Sequence, residues 1–451
     1  MLSIGLMSGT SMDGIDAALL DTDGENNIKE LGHTKLNYAP EAKFLLKAAE
    51  RAIKLANGDL QKAALYYSTA LTDYLIEELQ IDSKAIDAKI LQLTAYLQQA
   101  MPSSTTLCLR DIILLSTTLH AQAVNQLLTN LHKHATEIDV IGYHGQTMLH
   151  NPLEKITVQI GDGALLAALT GISVVNDFRS RDIAAGGQGA PFAPIYHQAL
   201  AKRDKKIPLV VVNCGGIANI SVITSDHVDS LIGFDTGPGN GLIDALIRNR
   251  TAGKESMDRD GKYGRHGVVN EQILSLLFEK ALPSKKDFFK TQPPKSLDIR
   301  DMTLIPELSQ LSLEDACVTL EAFTAKAIVD SLDLIDLTKI QIPRHWILAG
   351  GGWYNPVIKR ELKYQIKEKF GTDVIIETAD QAGWNSDAME AQVFSYFAIR
   401  SLKNLPLSVP GTTRVPKPLS GGHAYIPAVG ATQTVKTLIA KNPSVLQECL
   451  P

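Results

Sequence analysis

Four cysteines in 451 residues, Cys108, Cys214, Cys317 and Cys449, lie too far apart for a redox dithiol or a zinc site. Free thiols in a reducing compartment are expected instead. Positive charge is not in excess: 44 Lys and Arg against 49 Asp and Glu leave a net charge of −5, which offers no basic footprint for nucleic acid. Apolar runs are short and interrupted, so no membrane span is expected. The opening Met1-Leu2-Ser3-Ile4-Gly5-Leu6 has no basic flank, so it does not read as a signal peptide. His132 and His134 stand in a polar helix end without a nearby carboxylate cluster and read as a solvated face. Tandem repeats and low-complexity tracts are absent. No Gly-x-x-x-x-Gly-Lys-Ser/Thr loop occurs, and no Gly-x-Gly-x-x-Gly opens a helix after a strand. Neither a P-loop nor a Rossmann dinucleotide site is expected.

What is present suits two domains, each with enough apolar residues for a core. Residues 2–20 read as two strands joined by a Gly/Ser/Thr/Asp turn. From about 40 to 134 the pattern is helical, with Leu45, Leu46, Ala49, Ala52 and Ile53 at helical spacing and Asn57-Gly58 as a stop signal. Three further helical segments follow near 59–81, 83–100 and 110–135. Strands are then expected at 140–143, 156–160, 172–175, 209–213, 217–223, 231–234, 345–348 and 373–377. Helices near 240–250, 267–282, 312–333, 355–369 and 384–402 interleave with them, which predicts an α/β architecture with mixed sheets. The polar Ala201-Lys202-Arg203-Asp204-Lys205-Lys206 marks the best boundary. It divides an N-terminal α/β domain, 1–205, from a C-terminal one, 206–451, whose last helices are candidates to pack back on the first.

Glycines collect after predicted strands in four places: Gly5–Gly14, Gly186–Gly189, Gly215-Gly216 and Gly350-Gly351-Gly352. Exposed amides in such turns can cradle anionic oxygens, which favours a phosphate-bearing ligand. The first run also contains Gly9-Thr10-Ser11-Met12, which resembles the nucleophile stretch of subtilisin-like proteases, and His144 and Asp235 could complete a triad. The order of the three is reversed, however, and Asp13 and Asp16 beside Ser11 would disfavour an oxyanion. The same acids suit Mg²⁺ next to phosphate oxygens.

Longer motifs carry a resemblance. Gly5-Leu-Met-Ser-Gly-Thr-Ser-Met-Asp-Gly-Ile-Asp16, Tyr143-His-Gly-Gln-Thr147, the stretch from Asp177 to Pro191 and Asn213-Cys-Gly-Gly-Ile-Ala-Asn219 resemble motifs of the anhydro-N-acetylmuramic acid kinases. Gly233-Phe-Asp-Thr-Gly-Pro-Gly-Asn240, Gly350-Gly-Gly-Trp-Tyr-Asn355 and Asp387-Ala-Met-Glu-Ala-Gln392 continue the series in family order. The stretch from Pro410 to Gly422 is similar to that of alphaproteobacterial members.

The resemblance implies an actin-like (ASKHA, sugar kinase/Hsp70) fold of two α/β domains with mixed sheets around a central cleft. It implies ATP and Mg²⁺, phosphorylation of O6 of 1,6-anhydro-N-acetylmuramic acid with hydrolytic opening of the anhydro ring, a cytoplasmic location and a homodimer. Asp235 matches the family's base. Gly9, Thr10, Ser11, Met12, Asp13, Gly14, Ile15 and Asp16 would wrap the ATP phosphates, with Asp13 and Asp16 at the metal. Gly215, Gly216, Asn219, Gly350, Gly351, Gly352 and Asn355 would serve the nucleotide. His144, Gln146, Thr147, Arg181 and Glu390 would meet the sugar, Arg181 through its lactyl carboxylate or the transferring phosphate. Asp182 would join them or, like Asp177, orient the arginines. Kinases of related anhydro sugars such as levoglucosan share these motifs; an inactive sugar sensor would be expected to have lost Asp13, Asp16, Asp235 and Glu390. Two departures stand out: the helical stretch near 58–112 is longer than the family pattern, and an extra Ile299 displaces Arg300.

Overall fold

The computed structural model describes residues 1–102, 104, 106–336 and 343–446. The chain divides into two compact units. Residues 1–189, 388–408 and from 415 onward form the first; 190–387 and 409–414 form the second.

The chain opens with the meander β1 (Leu2–Ser8), β2 (Gly14–Thr22) and β3 (Ile28–Asn37). Four helices follow: α1 (Pro40–Leu55), α2 (Leu60–Glu77), α3 (Ile86–Ala100) and α4 (Leu109–Asn130). Then come β4 (Val140–Asn151), β5 (Ile156–Ile160), α5 (Gly163–Thr170), β6 (Ser173–Asn176) and α6 (Ser180–Ala184). The second unit holds α7 (Ala193–Arg203), β7 (Leu209–Cys214), β8 (Ile217–Ile223), β9 (Ile232–Pro238), α8 (Gly241–Arg250), α9 (Glu271–Lys280) and α10 (Leu313–Asp330). It continues with β10 (His345–Ala349), α11 (Pro356–Phe370) and β11 (Ile375–Thr378). The final segments are α12 (Met389–Leu402), α13 (Pro410–Thr413), β12 (His423–Tyr425) and α14 (Gln433–Lys441).

The first sheet runs β12-β6-β4-β1-β2-β3, with β5 added to β4. Its β1-β2-β3 pairs are antiparallel, and β1-β4 and β4-β6 are parallel. The second runs β11-β10-β7-β8-β9, again with an antiparallel meander, β7-β8-β9, followed by parallel β10 and β11. The mixed α/β architecture is therefore one sheet plan used twice, although no repeat is visible in the sequence.

Alternation along β1 shows how the first unit closes. Ile4 and Leu6 enter the core shared with α1 and α4, while Gly5 faces α12. A Cβ on Gly5 would lie 1.8 Å from the Ala391 carbonyl oxygen, and one on Gly142 would lie 1.9 Å from that of Phe394. These glycines let the backbone of α12 lie directly on the sheet. Gly5, within a motif read for its phosphate contacts, serves packing.

The strands and helices expected from periodicity form close to their predicted limits. Elements without a strong apolar period were not anticipated: β3, whose residues are mostly half-exposed, and α5 and α7; the short β12 and the amphipathic α14 were not anticipated either. β4 also runs on to Asn151, because β5 pairs with its second half. Among the described residues no helix is long and apolar enough to cross a membrane. Cys108, Cys214 and Cys317 are free thiols; Cys449 lies outside the described residues.

Candidate active site

In the first unit, residues 9–13 link β1 to β2. The Met12 N–H donates to the Gly9 carbonyl at 3.1 Å, and Met12 is buried with φ +54°. Gln146 Nε2 donates to the same carbonyl at 2.9 Å, tying β4 to the turn. Thr10, Ser11 and Asp13 are exposed, and a Cβ on Gly9 would meet nothing closer than 3.7 Å. Packing leaves this turn open. Gly14 and Ile15 differ: a Cβ on Gly14 would strike the Leu36 carbonyl at 2.4 Å, and Ile15 is buried. Asp13 accepts from Lys43 at 2.9 Å, and that bond holds its carboxyl below the usual range. Asp16, half-buried on β2, lies 3.9 Å from Lys35.

A second cluster centres on Arg179. Its Nε donates to His144 Nε2 at 3.0 Å and its Nη1 to the Gly189 carbonyl at 2.5 Å. His144 Nδ1 sits 2.8 Å from the Gly145 carbonyl, so the neutral tautomer with a proton on Nδ1 satisfies both bonds. Burial, then the Arg179 charge, push the His144 pKa well below the ordinary histidine value. With both ring nitrogens engaged, His144 is no base for Ser11, and the serine-hydrolase arrangement is not built. Glu390 stands in the first turn of α12. Loss of hydration around its carboxyl raises the pKa, the Arg179 guanidinium opposes this, and the Asp16 charge adds to the rise. Thr147 is half-buried, 3.5 Å from Gln159 Nε2.

Arg181 lies outside this cluster. It is exposed and donates to Ser420 Oγ at 3.1 Å. Asp182 is buried and accepts the Gly189 N–H at 2.6 Å, which closes the 182–189 loop. Asp177, at φ +55°, accepts the Ser180 N–H at 3.3 Å. Arg179 is the residue that sequence reasoning missed. One position separates it from an equally plausible arginine, and only burial tells them apart.

In the second unit Asp235 stands on β9, opposite Asn219 of β8. The register slips beside this pair, so Thr236 bulges, and its hydroxyl donates to the Ala218 carbonyl at 3.1 Å. The Asp235 N–H donates to the Lys295 carbonyl at 2.9 Å, and its Oδ2 accepts the Leu297 N–H at 2.8 Å. Burial pushes its carboxyl up to about 7, against the Leu297 bond and the charges of Lys285 and Lys295. Asp235 is thus a strand residue, not a helix cap. Ile299 and Arg300 follow on the same segment. Arg300 pairs with Asp298 at 2.9 Å, and a Cβ on Gly216 would come within 2.9 Å of Ile299 Cδ1.

The glycine turns at the ends of β7 and β10 divide by role. The Gly215 and Gly216 carbonyls accept the N–H groups of Asn240 at 2.8 Å and Gly239 at 3.0 Å. Gly350, at φ +91°, and Gly352 are required by Asn213 and Cys214, which added Cβ atoms would meet at 2.5 and 2.4 Å. A Cβ on Gly351 would meet nothing within 4 Å, and one on Gly215 only the Ile217 carbonyl at 3.9 Å. Asn355 caps α11, accepting the Val357 N–H at 2.8 Å, and donates to buried Glu321 at 2.6 Å. Burial raises the Glu321 carboxyl to about 8, and neighbouring Asp258 adds to the rise. Among the described residues no group of three His, Cys, Asp or Glu is placed to hold a metal.

A family model described as anhydro-N-acetylmuramic acid kinase matches residues 77–427. The anhydro-N-acetylmuramic acid kinase of Rhizorhabdus wittichii is 39% identical, over 95% of this chain and 99% of its own. Those of Nitrobacter winogradskyi and Bradyrhizobium diazoefficiens are each 38% identical, over 94% of this chain and 98% of their own. Among solved structures, a ROK hexokinase from Thermus thermophilus aligns over 88% of this chain and 99% of its own, with 11% identity and a TM-score of 0.32.

Proposed function

The chain belongs to the anhydro-N-acetylmuramic acid kinase family, and we propose that it uses ATP and water to convert 1,6-anhydro-N-acetylmuramic acid to N-acetylmuramic acid 6-phosphate in cell-wall sugar recycling. The observation that carries this reading is Asp235, strand-mounted beside a bulge and buried, so that its carboxyl is pushed up to about 7. A general base works best when its pKa lies near the working pH.

The substrate's O6 is bonded to C1, so there is no 6-hydroxyl to deprotonate. Water attacks C1, its proton passes to Asp235, the C1–O6 bond breaks, and O6 takes the γ-phosphoryl of ATP, leaving ADP. The Leu297 N–H, which donates to the Asp235 carboxylate, and the Lys295 carbonyl, which accepts the Asp235 N–H, hold the base in place for this task.

The open turn 9–13 offers amides and the Thr10 and Ser11 hydroxyls to phosphate oxygens. Mg²⁺ commonly takes one or two carboxylates and keeps several waters beside phosphate, so three protein ligands are not needed. Asp16, whose charge is felt by Glu390, fits that requirement better than Asp13, which Lys43 occupies. When bound, the ion would neutralise charge on the transferring phosphoryl group. Gly215 and Gly351 leave room for close approach of the nucleotide, while Asn219 and Asn355 act from the strand and the helix cap behind them. Arg179 takes the anion-binding part first given to Arg181, with His144 holding its guanidinium. Gln146 acts by fixing the turn. We place the enzyme in the cytoplasm, where ATP is available, as a homodimer, as the family resemblance implies.

Purified protein with Mg-ATP and 1,6-anhydro-N-acetylmuramic acid should give a product heavier by one phosphate and one water. Phosphate added with the ring still closed would overturn the mechanism, and turnover of levoglucosan alone would overturn the substrate.

A further inference from the structure

Ser8 closes β1 and Gly9 opens the turn that follows, and a buried side chain holds each of them. Gln146 reaches the Gly9 carbonyl from β4. His120 reaches Ser8 from α4, its Nε2 lying 3.2 Å from the hydroxyl oxygen. Both His120 and Ser8 are fully buried, and the imidazole packs on the Tyr143 ring with centroids 4.8 Å apart. A histidine in such a place costs free energy unless both ring nitrogens are hydrogen-bonded. An apolar side chain would fill the space between α4 and the sheet without that cost.

The proton positions follow from the partners. Burial pushes the His120 pKa down to about 4, so the ring is neutral. Its Nδ1 lies 2.7 Å from the Ser116 carbonyl, which can only accept, so Nδ1 carries the ring proton. Nε2 is then an acceptor, and Ser8 is its one donor among the described residues. The Ser8 hydroxyl has a second acceptor at the same distance, the Gly145 carbonyl at 3.2 Å. That carbonyl already takes the His144 Nδ1 proton at 2.8 Å. Giving the Ser8 proton to His120 therefore leaves no buried ring nitrogen unmet, whereas giving it to Gly145 orphans Nε2.

We propose that His120 is a positioning residue for the phosphate turn: it receives the Ser8 hydroxyl and fixes the end of β1 against α4, one residue before the amides of 9–13. It meets no reacting atom. Gln146 pins the turn to β4 and His120 pins its root to α4, so the amides keep one arrangement although packing leaves the turn open. Donors fixed in advance need no reorganisation when an anion arrives. The inference rests on the function proposed above, through the assignment of ATP to this turn.

Binding of Mg-ATP to the full-length protein, measured by calorimetric titration, tests it. His120→Asn keeps a donor near the Nδ1 position for Ser116 but falls short of Ser8, and Ser8→Ala removes the hydroxyl. Each should weaken ATP binding about fivefold, the worth of one ordinary hydrogen bond, with the Kd of 1,6-anhydro-N-acetylmuramic acid unchanged. His120→Gln, whose amide oxygen can stand near the Nε2 position, should recover most of the ATP affinity. The double variant of His120→Asn with Ser8→Ala should lose no more than either single one, because the two residues form one bond. Ser8→Ala removes a single oxygen, so it decides the matter if the His120 variants do not fold. Unchanged ATP affinity, equal losses for both ligands, additive losses in the double variant, or a His120→Gln variant no better than His120→Asn would overturn the assignment. ATP binding without turnover of the muramyl sugar would overturn the proposed function, while the ATP affinities still decide the role of His120.

Discussion

Asn219 and Asp235 face one another across β8 and β9, and Asn213 lies opposite Asn219 on β7, so one carboxylate ends a row that is otherwise neutral amides. Burial of Asp235 outweighs both the Leu297 bond and the charges of Lys285 and Lys295, which is why its carboxyl is pushed up to about 7.

The first prediction concerns Asp235 as the proposed base. Asp235 must be ionised to accept a proton, so kcat/KM should be level above about pH 7 and fall tenfold per unit below it. Asp235→Asn should lower kcat by at least about 10²–10⁴-fold, the usual range for a general base, while ATP still binds. A pH–rate profile and nucleotide titration measure both. Near-normal turnover would place the base elsewhere.

Glu321 carries a prediction about stability. Its folded pKa of about 8 exceeds the unfolded value of about 4.3. Between those values the folded protein holds a proton that the unfolded chain releases, so this group makes stability fall as pH rises, with no further change above about 8. Glu321→Gln removes the slope and can donate to Asp258. Its Tm minus that of the wild type should therefore grow from pH 5 to pH 8. A constant difference would show that Glu321 titrates normally.

The two arginines of Arg179-Ser180-Arg181 should separate sharply. Arg179→Ala removes the guanidinium held by His144 and set against Glu390, so activity should fall at least about 10²-fold. Arg181→Ala removes one exposed bond to Ser420 and should change kcat/KM less than about threefold. Steady-state kinetics on both variants decide between them; the reverse pattern would restore Arg181 to the site.

That pair also shows how far the sequence was legible. Period and turn chemistry located the helices and most strands, because each buries an apolar face that leaves a pattern. The resemblance picked out Asp235, but not its setting, since Lys295 and Leu297 are sixty residues away and reach it through backbone atoms. The duplicated sheet plan was invisible for a related reason: hydrogen-bonded pairing constrains topology, not residue identity. Glu321 is not singled out by its sequence, because a buried acid differs from an exposed one only in what packs against it.

The three glycines 350–352 give the last prediction, because the structure requires two of them and leaves one unexplained. An alanine at 352 would press its Cβ to 2.4 Å from Cys214 Sγ, which is buried and cannot withdraw. Such overpacking costs about 1–3 kcal/mol. Gly352→Ala should lower Tm by several degrees. Gly351 has no neighbour within 4 Å for a Cβ to meet, so Gly351→Ala should fold with an unchanged Tm. If open space at Gly351 exists for the nucleotide, that variant should still raise KM for ATP severalfold and leave KM for the sugar alone. Thermal melts and initial rates on the two variants separate packing from ligand approach. Unchanged KM values in Gly351→Ala would remove that glycine from the nucleotide site.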